Sequence, residues 1–249
     1  MGEGLRLKEL TNTLSAVADL ALPRVCIVCG TGLLPGERHI CTCCLADLPQ
    51  TFYESMSRNP MADKLNARIP GVERYAYAAA LYHYDSDAGY SLISQALKYD
   101  RNFQAGKYFA GMLGERLAGS ALFADVDAVV PVPLHWTRFL RRGYNQSAVI
   151  AGAVAAALPS APRVVRLLER SRRTQTQTRL DVAAKEVNVG GAFRVRKSAK
   201  AEAKAFRHIL LVDDVFTTGA TLGACHAALR EVCPPSVRIS VATLGFVGG

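Results

Sequence analysis

The 249-residue chain carries 30 Lys and Arg residues against 21 Asp and Glu residues, which gives a formal net charge of +9 at pH 7. Half of the residues are hydrophobic and a fifth are charged, a composition that excludes a disordered or fibrous chain. The length suits one α/β domain of ordinary size with a small appendage. The longest apolar stretch, 148–158, is far shorter than the roughly 20 residues that span a bilayer, so no membrane insertion is expected.

The N-terminal part of the chain predicts a short helix. Apolar residues recur at roughly helical spacing across 5–22, whereas Lys8, Glu9 and Asp19 interrupt the apolar run that a signal peptide needs. We therefore expect an amphipathic helix of a cytoplasmic protein.

Five of the seven cysteines fall within residues 26–44, which we call the cysteine knuckle. Cys26 and Cys29 form one C-x-x-C pair, and Cys41 and Cys44 form a second pair after eleven intervening residues. Two such pairs supply four thiolates, which is the ligand set of a structural Zn²⁺ site. The alternative is a reduced cluster that holds no metal.

Changes in composition divide the chain into three parts: the helix and knuckle over 1–50, a bridging segment over 51–124, and an α/β region over 125–249. The bridging segment predicts two helices within 92–117, joined near Asp100. In the α/β region, the predicted strands are 127–132, 164–168, 208–212 and 237–244, and the predicted helices are 145–158 and 221–232. This alternation predicts a mostly parallel sheet with helices on both faces, where ligands bind beyond the carboxyl ends of strands.

Positive charge is concentrated in one region of the sequence. Residues 134–207 contain 16 Lys and Arg against 4 Asp and Glu, a local balance of +12. Such a region attracts phosphate, diphosphate or a nucleic-acid backbone. The alternative interpretation is a solvated basic surface without a ligand.

The most informative segment is 209–221, ILLVDDVFTTGAT, which predicts a buried strand, a loop and the start of a helix. Asp213 and Asp214 follow the apolar run, where their carboxylates can accept hydrogen bonds from adjacent sugar hydroxyls. The hydroxyl-rich turn from Thr217 to Thr221 can direct backbone N–H groups at a phosphate, and Gly219 permits a close backbone approach. The alternative is an ordinary turn whose threonines only cap the helix.

This segment resembles the signature of the type I phosphoribosyltransferases, which binds 5-phosphoribosyl-1-pyrophosphate (PRPP). The resemblance implies that Asp213 and Asp214 hold the ribose 2′ and 3′ hydroxyls. It also implies Mg²⁺ bound together with the diphosphate. The residues that it assigns to the 5′-phosphate are Thr217, Thr218, Gly219, Ala220 and Thr221.

Two further segments match loops of the phosphoribosyltransferase-like fold. The fold places a diphosphate loop after the strand 127–132, at Pro133, Leu134 and His135. The basic residues that follow are candidate charge partners, although they could equally form an exposed face: Arg138, Arg141 and Arg142. The segment 167–193 matches a flexible catalytic loop, with three candidate catalytic cations: Arg172, Arg173 and Arg179.

The combination of PVPLH with RRGYNQ, of RTQTQTRL followed by NVGGAF, and of LKYDRN at 97–102 resembles the competence protein F (ComF) family over nearly the whole chain. Within the knuckle, this resemblance selects Cys41 and Cys44 as ligands, which leaves Cys43 as a spare thiol and His39 as a weaker candidate.

The resemblance implies a PRPP-binding protein of DNA uptake and natural transformation that acts on single-stranded DNA. The candidate DNA contacts are Arg138, Arg141 and Arg142. DNA-uptake or recombination proteins are expected partners. One alternative is an active phosphoribosyltransferase with an unknown acceptor. Another is a knuckle that binds nucleic acid or protein by itself.

Overall fold

The computed structural model describes residues 24–69, 76–98, 103–134, 136–170 and 191–248. The predicted helix over 5–22 lies outside these residues, and of Arg138 only the backbone is described. The chain forms two compact units, 1–48 and 49–249. In the first unit, Val25 and Gly32 form an antiparallel bridge, and helix α1 (Thr42–Ala46) follows it.

The second unit is built around a five-stranded sheet, β1-β7-β6-β2-β3, in which every strand pair is parallel. A separate antiparallel hairpin pairs β4 with β5. In chain order, the elements are a 3₁₀ turn (Tyr53–Ser55), α2 (Pro60–Asn66), β1 (Ala78–His83), α3 (Ser91–Lys98), α4 (Phe103–Ala118), β2 (Ala128–Pro131), α5 (Trp136–Arg142), α6 (Gln146–Ala157), β3 (Arg163–Val164), β4 (Leu168–Arg170), β5 (Phe193–Val195), a 3₁₀ turn (Lys197–Ala199), α7 (Lys200–Ala205), β6 (His208–Phe216), α8 (Ala220–Arg230) and β7 (Arg238–Phe246).

The predicted fold class, a parallel sheet flanked by helices, is confirmed. The two helices expected within 92–117 are α3 and α4, and the strands expected over 208–212 and 237–244 are longer, as β6 and β7. Strand β1, which was not predicted, lies in the bridging segment and pairs with β7 along the sheet edge. Its Ala-rich sequence hides it, because alanine is depleted in strands.

The strand predicted over 164–168 is wrong, because the chain changes sheets within it. Val165 donates its N–H to Val129 O at 3.0 Å, which continues the pairing of β3 with β2. Two residues later, Leu167 O accepts from Arg196 N at 2.9 Å, and β4 then joins the hairpin. Both Val165 and Leu167 are buried, so the apolar run gives no sign of the break.

The sheet is buried on both faces, as parallel sheets usually are. On one face, Ile209 and Leu211 of β6 belong to the same apolar cluster as Leu222 and Leu229 of α8. On the opposite face, α6 packs on β2 and β6, and α4 packs on β1 and β7. The first five residues of β6, 208–212, are all buried.

Helices α4 and α6 approach each other closely at Gly114. A Cβ atom added there would lie 2.7 Å from the Ala157 Cβ and 3.1 Å from the Val154 Cα. Since backbone atoms are among these neighbours, a side chain at Gly114 would push the helices apart. Gly111, one turn earlier in α4, has no atom within 4 Å of the same added carbon.

We therefore expect Gly114→Ala to destabilise the protein by about 1–2 kcal/mol through overpacking. Gly111→Ala should stabilise it by about 0.5–1 kcal/mol, because alanine restricts the unfolded chain and favours the helix. Urea unfolding followed by circular dichroism measures both. Equal effects of the two substitutions would contradict the close packing at Gly114.

Candidate functional site

Strands β2 and β6 are neighbours, but the chain leaves them in opposite directions. After β2 it passes through α6 to β3 at one edge of the sheet, and after β6 it passes through α8 to β7 on the other side. The two connecting helices pack on opposite faces of the sheet. Loops that diverge in this way leave a crevice at the carboxyl ends of the two strands, which is where open α/β sheets bind ligands.

The acidic pair lies within the last part of β6, at this crevice. Asp213 pairs in register with Thr243 of β7, so the strand continues past the point that the sequence predicted. The Asp213 Oδ1 atom accepts from the Ser147 hydroxyl at 2.9 Å and from the Asp214 N–H at 2.9 Å. Asp214 accepts from the Val215 N–H at 2.8 Å. These donors hold both carboxylates in fixed orientations.

The first residues of α6 contact the acidic pair through hydrogen bonds. Asn145 caps this helix by accepting from the Ser147 N–H at 3.1 Å, and its Nδ2 donates to Val132 O at 2.9 Å. One side chain thus ties the helix start to the loop that follows β2. Gln146 is buried and its Nε2 lies 3.5 Å from Asp214 Oδ2.

Gln146 and Ser147 are site residues that were not predicted from the sequence. They directly follow the RRGYN segment, in which only the arginines were predicted as site residues. The cap geometry of α6 turns both side chains toward β6, and the available signal was the hydroxyl and amide at the first two positions of a predicted helix.

A polar cleft of about 350 Å³ contains the acidic pair. Three arginines line it together with the two aspartates, namely Arg141, Arg142 and Arg170. Arg142 is only 9% exposed, which sets it apart from the exposed Arg141. The cleft therefore combines basic and acidic residues in its lining.

The loop before α8 requires glycine at its last position. Gly219 has a φ of 79°, and an added Cβ would lie 2.8 Å from the Phe216 ring. Helix α8 begins at Ala220 and runs for 11 residues, so its N-terminal N–H groups favour an anion.

Thr221, one residue into α8, lines the polar cleft, whereas Thr217 and Thr218 line a neighbouring cavity with Lys64 and Arg68 of the α2 region.

The remaining predicted residues are only partly described. Pro133 and Leu134, in the loop that follows β2, line the polar cleft. His135 and the candidate catalytic cations lie outside the described residues, the latter being Arg172, Arg173 and Arg179.

The four cysteines that the sequence selected lie together in the first unit. The sulfur atoms of Cys26, Cys29, Cys41 and Cys44 are all within 4.8 Å of one another, and those of Cys29 and Cys41 are 3.8 Å apart. A tetrahedral site with Zn–S bonds of about 2.3 Å has S–S edges of about 3.8 Å. The cluster can therefore hold a zinc ion.

Hydrogen bonds stabilise negative charge on part of this cluster, whereas burial raises the pKa of the Cys44 thiol. Cys41 donates its N–H to Cys26 Sγ at 3.3 Å, and Cys44 donates its N–H to Cys41 Sγ at 3.4 Å. A hydrogen bond with the Thr31 side chain lowers the pKa of the Cys29 thiol to about 6. Thiolates are the form that binds metal. Cys43 is exposed, and neither it nor His39 belongs to the cluster in the described part of the chain.

We expect the purified protein to carry one zinc ion per chain, measured by plasma mass spectrometry. Cys41→Ser should remove it, because three thiolates leave the tetrahedral site incomplete. Cys43→Ser changes a neighbouring cysteine outside the cluster and should leave the zinc content at one. Equal zinc content in the two variants would contradict the four-cysteine site.

Comparison with known proteins finds related sequences, although no protein-family model matches the chain. It is 29% identical over 152 residues to Competence protein F of Haemophilus influenzae, which covers 60% of this chain and 65% of that protein. It is 26% identical over 216 residues to the DNA utilization protein YhgH of Escherichia coli O157:H7, covering 82% and 89%.

Among solved structures, the allosteric regulatory enzyme of purine biosynthesis matches with a TM-score of 0.35 and 20% identity, over 56% of this chain and 25% of that one. None of the described helices is both long enough and apolar enough to cross a membrane. The sequence relationships confirm the resemblance that the motifs predicted: the chain is similar in sequence to competence protein F and to the YhgH DNA utilization proteins.

Proposed function

We propose that the chain binds PRPP in the polar cleft and acts in the uptake or use of external DNA. The observation that carries the PRPP site is the arrangement of Asp213 and Asp214 at the end of β6. Their carboxylates are oriented by Ser147 and by backbone N–H groups, and they share one cleft with Thr221 at the N-terminus of α8.

The ribose 5-phosphate part of PRPP suits this edge of the cleft. Two adjacent carboxylates accept hydrogen bonds from two adjacent sugar hydroxyls, and charge-assisted bonds of this kind are stronger than neutral ones. The phosphate then lies at the start of α8, whose first N–H groups favour an anion, and Gly219 supplies the positive φ that the turn before this helix needs. We assign Thr217, Thr218 and Ala220 to the same phosphate-binding loop.

The diphosphate suits the basic side of the cleft. Arg141, Arg142 and Arg170 line that side and can neutralise its charge, and Pro133 and Leu134 supply the adjoining loop. Mg²⁺ fits a donor set of carboxylate and phosphate oxygens, and Asp213 and Asp214 are the residues available to it. When bound with PRPP, the ion neutralises further negative charge on the diphosphate.

The DNA role rests on the homologues, one named for competence and the other for DNA utilization. The local charge of +12 over 134–207 supports contact with a phosphate backbone. Exposed Arg141 suits such contact, with Arg138 beside it in α5, whereas buried Arg142 suits the PRPP cleft better. We also propose a cytoplasmic location and partners among DNA-uptake or recombination proteins.

The cleft favours a second candidate function, transfer of the phosphoribosyl group. In that reaction an acceptor forms a bond to C1 of PRPP while the bond from C1 to the diphosphate oxygen breaks. Three guanidinium groups in the cleft can stabilise the departing diphosphate. Release of diphosphate from PRPP, measured with nucleobases and with single-stranded DNA as acceptors, tests this function separately from binding.

Isothermal titration of PRPP with Mg²⁺ tests the binding site. We expect the double variant Asp213→Asn with Asp214→Asn to weaken binding by at least about 100-fold, because each change removes a charged hydrogen-bond acceptor. Asparagine keeps the side-chain shape and can still accept from Ser147.

The matched control is Asp85→Asn with Asp87→Asn, which removes two charges from exposed positions after β1. This control should bind PRPP as the wild type does. Failure of the zinc-loaded wild type to bind PRPP, or equal binding by the two double variants, would overturn the proposed site.

A further inference from the structure

A second cavity, of about 590 Å³, adjoins the polar cleft and differs from it in chemistry. Pro133 and Leu134 line both spaces, so the loop after β2 is the wall between them. We call the second cavity the aromatic pocket, because Phe139 of α5 and Tyr144 contribute to its lining.

The aromatic side chains of this pocket differ in their support. Tyr144 packs its ring edge-on against Phe103 with 4.5 Å between centroids, and its hydroxyl donates to Leu97 O. It is therefore held by the protein. Phe139, by contrast, is 47% exposed, although it is a large apolar side chain within a basic helix. A planar ligand that covers Phe139 would remove this apolar surface from water.

The charged groups of the pocket are of one sign. Arg166 and Arg196 line it, and no Asp or Glu does so among the described residues. Arg196 is oriented by an Nε–H bond to Leu168 O at 3.4 Å. Two cations beside an exposed phenyl ring match a ligand that combines a flat ring with phosphate groups.

We propose that the aromatic pocket takes one unpaired base of single-stranded DNA, which stacks on Phe139 while Arg166 and Arg196 contact the flanking phosphates. This inference rests on the proposed DNA role and assigns it to a site. A paired base hides both of its faces in the stack, so the pocket selects single strands over duplexes. Stacking is tolerant of base identity, so little sequence preference is expected.

Fluorescence anisotropy with a labelled 15-nucleotide strand of mixed sequence tests the stacking contact. We expect Phe139→Ala to weaken binding about tenfold, within the range that base stacking on aromatic side chains gives. Phe139→Trp should retain wild-type affinity, because it keeps an aromatic face. Leu140→Ala, which truncates an adjacent side chain that is 70% exposed and does not line the pocket, is the matched control and should bind as the wild type does.

An abasic strand of the same length separates stacking from phosphate contacts. Wild type and Phe139→Ala should bind this strand equally, because it has no base to stack. The arginine contacts have a different signature: Arg166→Gln should reduce the slope of log K against log salt concentration by about 0.7, the value for one phosphate of a single strand. Lys197→Gln removes the same charge outside the pocket and should leave the slope unchanged.

The outcomes distinguish the two proposals. If the wild type binds the strand but Phe139→Ala and Leu140→Ala bind equally, the aromatic pocket is overturned while DNA contact stands. If the wild type binds no single-stranded DNA, the DNA role fails along with the pocket. Retained PRPP binding by Phe139→Ala verifies that the variant is folded, and lost affinity for the abasic strand in that variant would contradict stacking.

Discussion

The parallel pairing of β6 with both β2 and β7 is the constraint on which the rest of the structure depends. Residues 208–212 are buried on both faces of the sheet, so β6 cannot change register without placing its apolar side chains against the wrong helices. This register puts Asp213 and Asp214 at the crevice beside the loop that follows β2. The buried part of the strand fixes the position of both aspartates along β6, at the carboxyl end of the sheet.

Asn145 connects the start of α6 to the loop that follows β2. Its side chain caps α6 and holds the carbonyl of Val132, so one residue positions both the donors behind the acidic pair and the start of the loop at Pro133. Pro133 and Leu134 then separate the polar cleft from the aromatic pocket. Ligands in the two spaces would lie against the same two residues, which gives any coupling between them a short physical path.

Local chemistry was predictable from sequence where a pattern is continuous along the chain. Three features could be predicted from a few neighbouring residues each. They are the apolar run before the acidic pair, the glycine before α8 and the two C-x-x-C pairs. The other features need the fold: β1 is Ala-rich and becomes a strand only by pairing with β7, and the strand expected over 164–168 divides between two sheets. Arg166 and Arg196 line the same pocket as Phe139 only in the folded chain.

The two units obtain their stability in different ways. In the described part of the first unit, the buried apolar residues are few: Cys26, Ile40 and Leu48. A zinc ion held by the four thiolates would add its binding free energy to the stability of this part of the chain. The second unit buries an extensive cluster whose members all lie between Tyr53 and Phe246. The shape of the polar cleft therefore follows from packing within 49–249, whereas a zinc ion bound by the four cysteines would stabilise the knuckle.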